Sequence, residues 1–138
     1  MNEVYADSGY WIAMLNRHDQ WNLAAVRATQ QTRGRKIVTG EMVIVEFLNG
    51  VARYGAQSRS QAVITARSLY NNPNIEVIKQ SSIQLAAAVQ RYADRLDQRW
   101  SVTDCASFLI MEDRGITDAL AHDRDFVQAG FRALLREF

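Results

Sequence analysis

The fold is decided by the stretch SVTDCASFLIMEDRG, residues 101–115, and by its continuation ITDALAHDRDF, residues 116–126. The first part predicts a helix that begins at a serine or threonine cap and ends at Gly115. The second part predicts a short buried strand over residues 119–121 and then another helix. Asp104 and Asp123 therefore lie at the starts of two helices. If the strand is parallel to its neighbours, Asp123 also follows its carboxyl end, where open α/β sheets form their sites.

Short strands alternate with helices along the rest of the chain. Further strands are predicted at residues 3–7, 37–39, 75–78 and 131–135. Helices are predicted at residues 10–15, 20–32, 41–53 and 61–70, and one more begins at Ser81 or Ser82. In that last helix, an apolar stripe of Leu85, Val89, Tyr92 and Leu96 is expected to cover one sheet face. Because parallel strands need helical crossovers, we expect one α/β domain over residues 1–138, with helices on both faces of a parallel sheet.

Composition and charge indicate an ordinary globular domain, with 48% hydrophobic and 22% charged residues. No apolar run approaches the ~20 residues that cross a bilayer, and the N-terminus lacks a signal-peptide pattern. The single cysteine, Cys105, excludes an internal disulfide and indicates a reducing cytoplasm. A formal net charge of +1 neither favours nor excludes nucleic acid, so an anionic partner would need local basic patches.

Four acidic residues occupy positions at which a metal site can form. Asp7 follows the first strand, Asp104 and Asp123 begin helices, and Glu46 lies within an apolar helix. Because no residue three or four positions from Glu46 is basic, a group outside its helix must pair with it. A shared Mg²⁺ or Mn²⁺ ion would do so, since these ions prefer oxygen ligands. Helix capping explains the three aspartates equally well.

Four ordered motifs carry a family resemblance: YADSGYWIAML at residues 5–15, VIVEFLN at 43–49, WSVTDCASF at 100–108 and ALAHDRDFVQAGF at 119–131. Together they resemble PIN-domain ribonucleases, in particular the small VapC-type toxins of bacterial and archaeal toxin–antitoxin pairs. The resemblance covers nearly the whole chain and implies a PIN-like α/β/α sandwich with a central parallel sheet of four to five strands. It also implies a Mg²⁺- or Mn²⁺-dependent endoribonuclease, whose catalytic and metal-binding residues are Asp7, Glu46, Asp104 and Asp123.

Other residues can support this chemistry. Where the family often has Thr or Ser near the fourth acid, this chain has Ala121-His122, so Asp125 is the alternative to Asp123. Ser8 and Thr103 can orient a ligand or a bound water, or simply cap helices. For RNA binding, the candidates are Arg33, Arg35, Lys36 and Trp100, of which the first three can equally form a solvated basic turn.

The resemblance also implies partners: an RNA substrate, either transfer RNA or ribosomal RNA, and a cognate antitoxin that covers the acidic cleft. Apolar residues of the early helices, namely Trp11, Met14 and Trp21, can bury surface in a homodimer. The main alternative function is a catalytically inactive PIN-like scaffold that binds RNA or a protein partner.

Overall fold

The computed structural model describes residues 2–137 and contains a five-stranded sheet in which all neighbouring strands are parallel. The strand order is β3-β2-β1-β4-β5. The strands are β1 (Glu3–Ala6), β2 (Lys36–Gly40), β3 (Ile75–Ile78), β4 (Asp118–Leu120) and β5 (Arg132–Ala133). The predicted α/β class and strand number are confirmed.

Helices form the connections and flank the sheet. They are α1 (Ser8–Leu15), α2 (Asn22–Gln31), α3 (Glu41–Val51), α4 (Ala56–Asn71), α5 (Ser82–Asp94), α6 (Val102–Arg114) and α7 (Arg124–Gln128). Two short 3₁₀ helices cover Ala52–Tyr54 and Leu134–Arg136. None of the helices within residues 2–137 has the length and apolar character that a membrane crossing requires.

The centre of the sheet is apolar because its strands are covered on both faces. Val4, Tyr5, Val38 and Leu120 are fully buried. The one hydroxyl in this set, that of Tyr5, lies 2.8 Å from the Ser107 hydroxyl of α6, so its burial leaves no polar group unpaired. The middle of the sheet is therefore a rigid support for the residues that follow each strand.

Helix α6 has the sequence signals expected of it. Its N-terminus carries a capping box, in which the Ser101 hydroxyl accepts from the Asp104 amide and the Asp104 carboxylate accepts from the Ser101 amide, both at 3.0 Å. Gly115 ends the helix with a left-handed conformation at φ 67°, which favours glycine. Local sequence thus accounts for both ends of the element that holds Asp104.

One predicted element is shorter than expected, and one packing prediction is wrong. The last strand lies at the edge of the sheet but is limited to residues 132–133 and continues as a 3₁₀ helix. The apolar stripe of α5 does not cover the sheet: Leu85, Val89 and Tyr92 are all exposed, as is Leu96, which lies beyond the end of the helix. Helix α5 instead buries Ala88 and packs on α6, because a small residue allows the two helices to approach closely.

Acidic residues at the amino end of the sheet are all bound by basic side chains. Arg114 contacts Glu3 at 2.8 Å and Glu76 at 2.9 Å. Lys36 also contacts Glu76, at 3.1 Å. On the other side of β1, Arg35 and Arg132 contact Asp118 at 3.0 and 3.3 Å. These ion pairs tie the starts of the strands to α6 and to the loop before β2.

Candidate functional site

Acidic side chains gather at the opposite, carboxyl end of the sheet. Asp7 directly follows β1, and Glu46 lies in the second turn of α3, which directly follows β2. Asp123 follows β4 by three residues, and Asp104 lies in the first turn of α6. This arrangement follows from the parallel topology, because parallel strands all end at the same edge of the sheet.

The most compact part of this group is formed by Asp104, Asp123 and Asp125. One carboxylate oxygen from each of the three lies within 4.8 Å of the other two, a separation that suits ligands of a single cation. The sequence left open whether Asp123 or Asp125 completes the site, and the structure brings both to it. The sequence offers Asp125 only as an alternative to Asp123, although a spacing of two residues across a helix start allows both side chains to reach one site.

Burial and mutual repulsion raise the pKa values of Asp104 and Asp125. Desolvation is the main cause of the raised pKa of Asp104, and the negative charges of Asp123 and Glu46 add to it. Desolvation likewise raises the pKa of Asp125 to about 7, with further contributions from the Asp123 charge and a hydrogen bond with Asp104. The hydrogen bond between Asp104 and Asp125 couples the titrations of the two carboxyl groups.

Asp7 is the most deeply buried member of the group, with 5% of its surface exposed. Burial raises its pKa well above the ordinary value, and the nearby charges of Glu46, Asp104 and Asp123 raise it further. Among residues 2–137, no hydrogen-bond donor reaches its Oδ1 atom. A buried acceptor with no donor is costly, and a cation would supply the missing partner.

Glu46 joins the group through Ser8. The Ser8 hydroxyl donates a hydrogen bond to the Glu46 Oε1 atom, which links the start of α1 to α3. Glu46 is half-buried, and Ser8 is buried. The expectation that Glu46 finds a partner outside its own helix is therefore met, by a neutral hydroxyl rather than by a basic side chain.

The three aspartates that lie at helix starts differ in how they cap. Asp7 occupies the N-cap position of α1, but its side chain accepts no capping hydrogen bond from the part of the chain that the structure describes. Asp104 uses its Oδ2 atom in the capping box, and Asp123 caps α7 by accepting from the Asp125 amide at 2.9 Å. A carboxylate has two oxygens, so capping orients Asp104 and Asp123 and leaves one oxygen of each for a ligand.

Thr103 and Cys105 flank Asp104 on α6. Thr103 is half-buried. Burial alone does not test whether Thr103 orients a ligand or a bound water, so that role stays a prediction. Cys105 is fully buried and unoxidised, as expected for a small core residue rather than a nucleophile.

The predicted RNA-binding residues do not join the acidic group, and their role stays a prediction. Trp100 is 5% exposed and packs edge-on against Phe108, with ring centroids 5.1 Å apart, so its ring faces are not available to stack a base. The basic turn of Arg33, Arg35 and Lys36 lies at the amino end of the sheet, away from the acids, because Lys36 pairs in register with Glu3 at the start of β1. Arg35 and Lys36 are bound to Asp118 and Glu76 there.

The predicted dimer contacts also need correction. Trp11 is buried in the core, and its ring packs edge-on against Tyr10 at 4.9 Å, so it cannot contact a second copy. Trp21 is half-buried and stacks on His122. Of the three residues proposed for a dimer, only Met14 is exposed, at 39%.

Solved structures include a clear relative of this fold. The chain is similar to the crystal structure of VapC20 of Mycobacterium tuberculosis, a toxin that cleaves the sarcin–ricin loop, with a TM-score of 0.83 and 22% sequence identity. The similarity covers 94% of this chain and 97% of that one. No protein-family model and no curated protein matches the sequence. The predicted PIN-like fold of the VapC type is thus confirmed as a fold.

Proposed function

We propose that this protein is a Mg²⁺- or Mn²⁺-dependent endoribonuclease and the toxin of a toxin–antitoxin pair. The observation that carries the proposal is the gathering of carboxylates at the carboxyl end of the sheet, around a buried Asp7 oxygen, with neither basic partners nor a donor to that oxygen among residues 2–137. Such a group is costly to maintain unless a cation binds it. The likeness in fold to a ribonuclease toxin supports RNA as the substrate class.

The cation would be held by Asp7, Glu46, Asp104 and Asp123, with Asp125 beside them. The residues present fit a hard divalent ion, because every donor in the group is a carboxylate oxygen. When bound, such an ion activates a water molecule and neutralises charge on the phosphate that the water attacks. No nucleophilic side chain is needed for phosphodiester hydrolysis of this kind.

The chain's own residues prepare the site for that chemistry. The Ser8 hydroxyl fixes the rotamer of Glu46, and the Ser101 amide fixes that of Asp104. Asp125 can hold a proton against Asp104, with a pKa of about 7, which relieves repulsion in the metal-free protein. These contacts orient oxygens before a cation arrives and so lower the cost of ordering them.

For the substrate, we propose a structured RNA, with ribosomal RNA as the first candidate to test and transfer RNA as the second. VapC20 cleaves the sarcin–ricin loop of ribosomal RNA, and its fold matches this chain over nearly its full length. We propose that the protein acts in the cytoplasm, where both RNAs are found.

We further propose a cognate antitoxin, a small protein that covers the acidic group, and a homodimer. Helix α5 has an exposed apolar surface formed by Leu85, Val89 and Tyr92. This surface can contact either the antitoxin or the second copy, whereas Trp11 is buried. A purified chain that stays monomeric at micromolar concentration would contradict the dimer. Failure of every small protein encoded beside it to suppress its toxicity would contradict the antitoxin.

The test of the function is cleavage of purified ribosomes and of transfer RNA, with Mn²⁺ or with chelator, followed by sequencing of the new RNA ends. We expect metal-dependent cleavage at defined sites, and a loss of at least about 100-fold in the Asp7→Asn variant. Glu41→Gln is the matched control, because Glu41 lies at the same end of the sheet but binds the Gln80 amide and the Tyr70 hydroxyl, each at 2.7 Å. Equal cleavage by the wild type and Asp7→Asn would refute the proposal.

A further inference from the structure

The residue before Asp123, His122, is held in an aromatic stack. Its imidazole lies on the Trp21 indole, with ring centroids 4.8 Å apart and an angle of 2° between the planes. The Arg136 guanidinium lies over the same indole, 5.2 Å from its centroid, and Arg136 also donates a hydrogen bond to the His122 carbonyl. Contacts with both the side chain and the backbone carbonyl therefore hold His122 in place.

The edge of the same imidazole ring rests on helix α1 at Gly9. A Cβ atom at position 9 would lie 2.6 Å from His122 Nε2 and 2.8 Å from His122 Cδ2, distances that atoms of real side chains do not reach. Glycine is therefore needed at position 9 for space, since its backbone is ordinary helix. The close approach places His122 directly against the turn that carries Asp7 and Ser8.

The backbone between β4 and Asp123 is anchored at three successive carbonyls. The Leu120 carbonyl accepts from the Asp7 amide at 3.1 Å, and the Ala121 carbonyl accepts from the Leu135 amide at 3.2 Å. The His122 carbonyl accepts from Arg136. These hydrogen bonds fix the position of this segment relative to the sheet. The imidazole ring fixes the distance between the segment and α1.

We propose that His122 is a positioning residue, whose ring acts as a spacer between Gly9 and Trp21 and sets the distance of Asp123 from Asp7. This inference rests on the proposed function, since it concerns the acids that would bind the cation. It goes beyond that function by assigning a role to Gly9, Trp21 and His122, none of which offers an oxygen ligand. A cation site is sensitive to such placement, because outer partners of ligands commonly change metal affinity by about 10–100-fold.

Substitutions at the two contacting positions separate positioning from simple packing. Gly9→Ala should push the ring away and weaken Mn²⁺ binding by about 10-fold. His122→Ala should weaken it by a similar factor, because the spacer is lost. In the double variant the ring that the new Cβ would displace is absent, so we expect Gly9→Ala to add no further loss of Mn²⁺ affinity to that of His122→Ala. His122→Phe keeps a flat ring on Trp21 and should stay within about threefold of the wild type.

The measurements are the Mn²⁺ dissociation constant by titration calorimetry and RNA cleavage at saturating Mn²⁺, with His18→Ala as the control for loss of an exposed histidine. Melting in chelator shows which variants fold. If Gly9→Ala does not fold, the pair His122→Ala and His122→Phe decides the result, because the first should bind Mn²⁺ weakly and the second normally.

The possible outcomes separate this inference from the proposed function. A wild type that binds no Mn²⁺ and cleaves no RNA refutes both. A wild type that binds Mn²⁺, together with folded Gly9→Ala and His122→Ala variants of unchanged affinity, refutes the positioning role alone. A double variant in which the two losses multiply also refutes it, since Gly9→Ala would then act without the His122 ring.

Discussion

The two ends of the parallel sheet hold acids in opposite surroundings. At the amino end, hydrogen bonds from Arg114 are the main cause of the lowered pKa values of Glu3 and Glu76. At the carboxyl end, burial and neighbouring carboxylates raise the pKa values of Asp7, Asp104 and Asp125. The residue types are alike at both ends, but the amino-end carboxylates form ion pairs with basic side chains, whereas no ion pair within residues 2–137 involves Asp7, Asp104 or Asp125.

The difference between the two ends distinguishes acidic residues that stabilise the fold from acidic residues that are available to bind a ligand. The carboxylates of the amino end already have their partners, so they join strands to helices and have no capacity left for a ligand. Position alone does not decide the matter, because Glu41 lies at the carboxyl end and is satisfied by the Gln80 amide and the Tyr70 hydroxyl. Asp7 and its neighbours differ in two ways: they are buried, and no basic side chain among the described residues pairs with them.

The largest expected effect is stabilisation by metal, which tests this comparison at the carboxyl end. Mn²⁺ at about 100 times its dissociation constant should raise the free energy of unfolding by about 2.7 kcal/mol, because it binds the folded state. The rise should shrink in Asp104→Asn and Asp104→Ala, and it should persist in Glu76→Gln. Melting with Mn²⁺ and with chelator gives the answer, and equal shifts in all four proteins would mean that Asp104 is no ligand.

In chelator alone, the same two variants should differ from each other. Asp104→Asn removes one of several repelling charges and keeps an oxygen for the Ser101 amide, so it should be neutral or stabilising. Asp104→Ala loses the cap as well, which costs about 0.5–2 kcal/mol. A destabilised Asp104→Asn variant would argue against repulsion within the group.

A smaller effect is expected from breaking the pairs at the amino end. Arg114→Ala leaves Glu3 and Glu76 without their shared partner and should lower the free energy of unfolding by about 1–2 kcal/mol, because the pairs are partly exposed. The loss should be the same with and without Mn²⁺. Arg67→Ala, an exposed site on α4, should stay within about 0.5 kcal/mol. A loss in Arg114→Ala that Mn²⁺ reverses would contradict a purely structural role.

The smallest expected effect is a pH dependence of opposite sign at the two ends. Because folding raises the pKa values of Asp7, Asp104 and Asp125, the folded metal-free protein binds more protons than the unfolded chain between about pH 4 and 7. Stability in chelator should therefore fall as pH rises through that range, by an amount on the order of 1 kcal/mol after solvent screening. At the amino end the pKa values are lowered, so that contribution is lost only below about pH 4.5.

Unfolding in urea across this pH range, with chelator, measures the slope. Asp125→Asn should flatten the decline above pH 5, because Asp125 titrates near pH 7. Glu76→Gln should leave the decline intact and reduce only the loss of stability in acid. Mn²⁺ should stabilise more at pH 8 than at pH 5, because it competes with protons for the same oxygens.

Much of the architecture could be predicted because its signals are local. Each of these signals spans only a few residues. They are the Ser101 cap of α6, its Gly115 stop, the short apolar strands and the acids placed just after them. The α5 stripe shows the limit of that reasoning: its periodicity predicted the helix correctly, but not what the helix packs against. Helical spacing indicates which side chains share a face, whereas burial depends on whether another element covers that face.

The sequence by itself determined the alternation of strands and helices and the parallel sheet, because caps, turns and periodicity act over short distances. It also placed Asp7 after a strand, Asp104 and Asp123 at helix starts, and Glu46 within an apolar helix. Only the tertiary structure decided which charges are paired and which are not. In the tertiary structure, Asp125 lies in the acidic group and Trp100 is buried. The basic turn lies at the amino end of the sheet, and His122 contacts Gly9. Each of these outcomes depends on contacts between segments far apart in the chain, and local sequence carries no information about such distances.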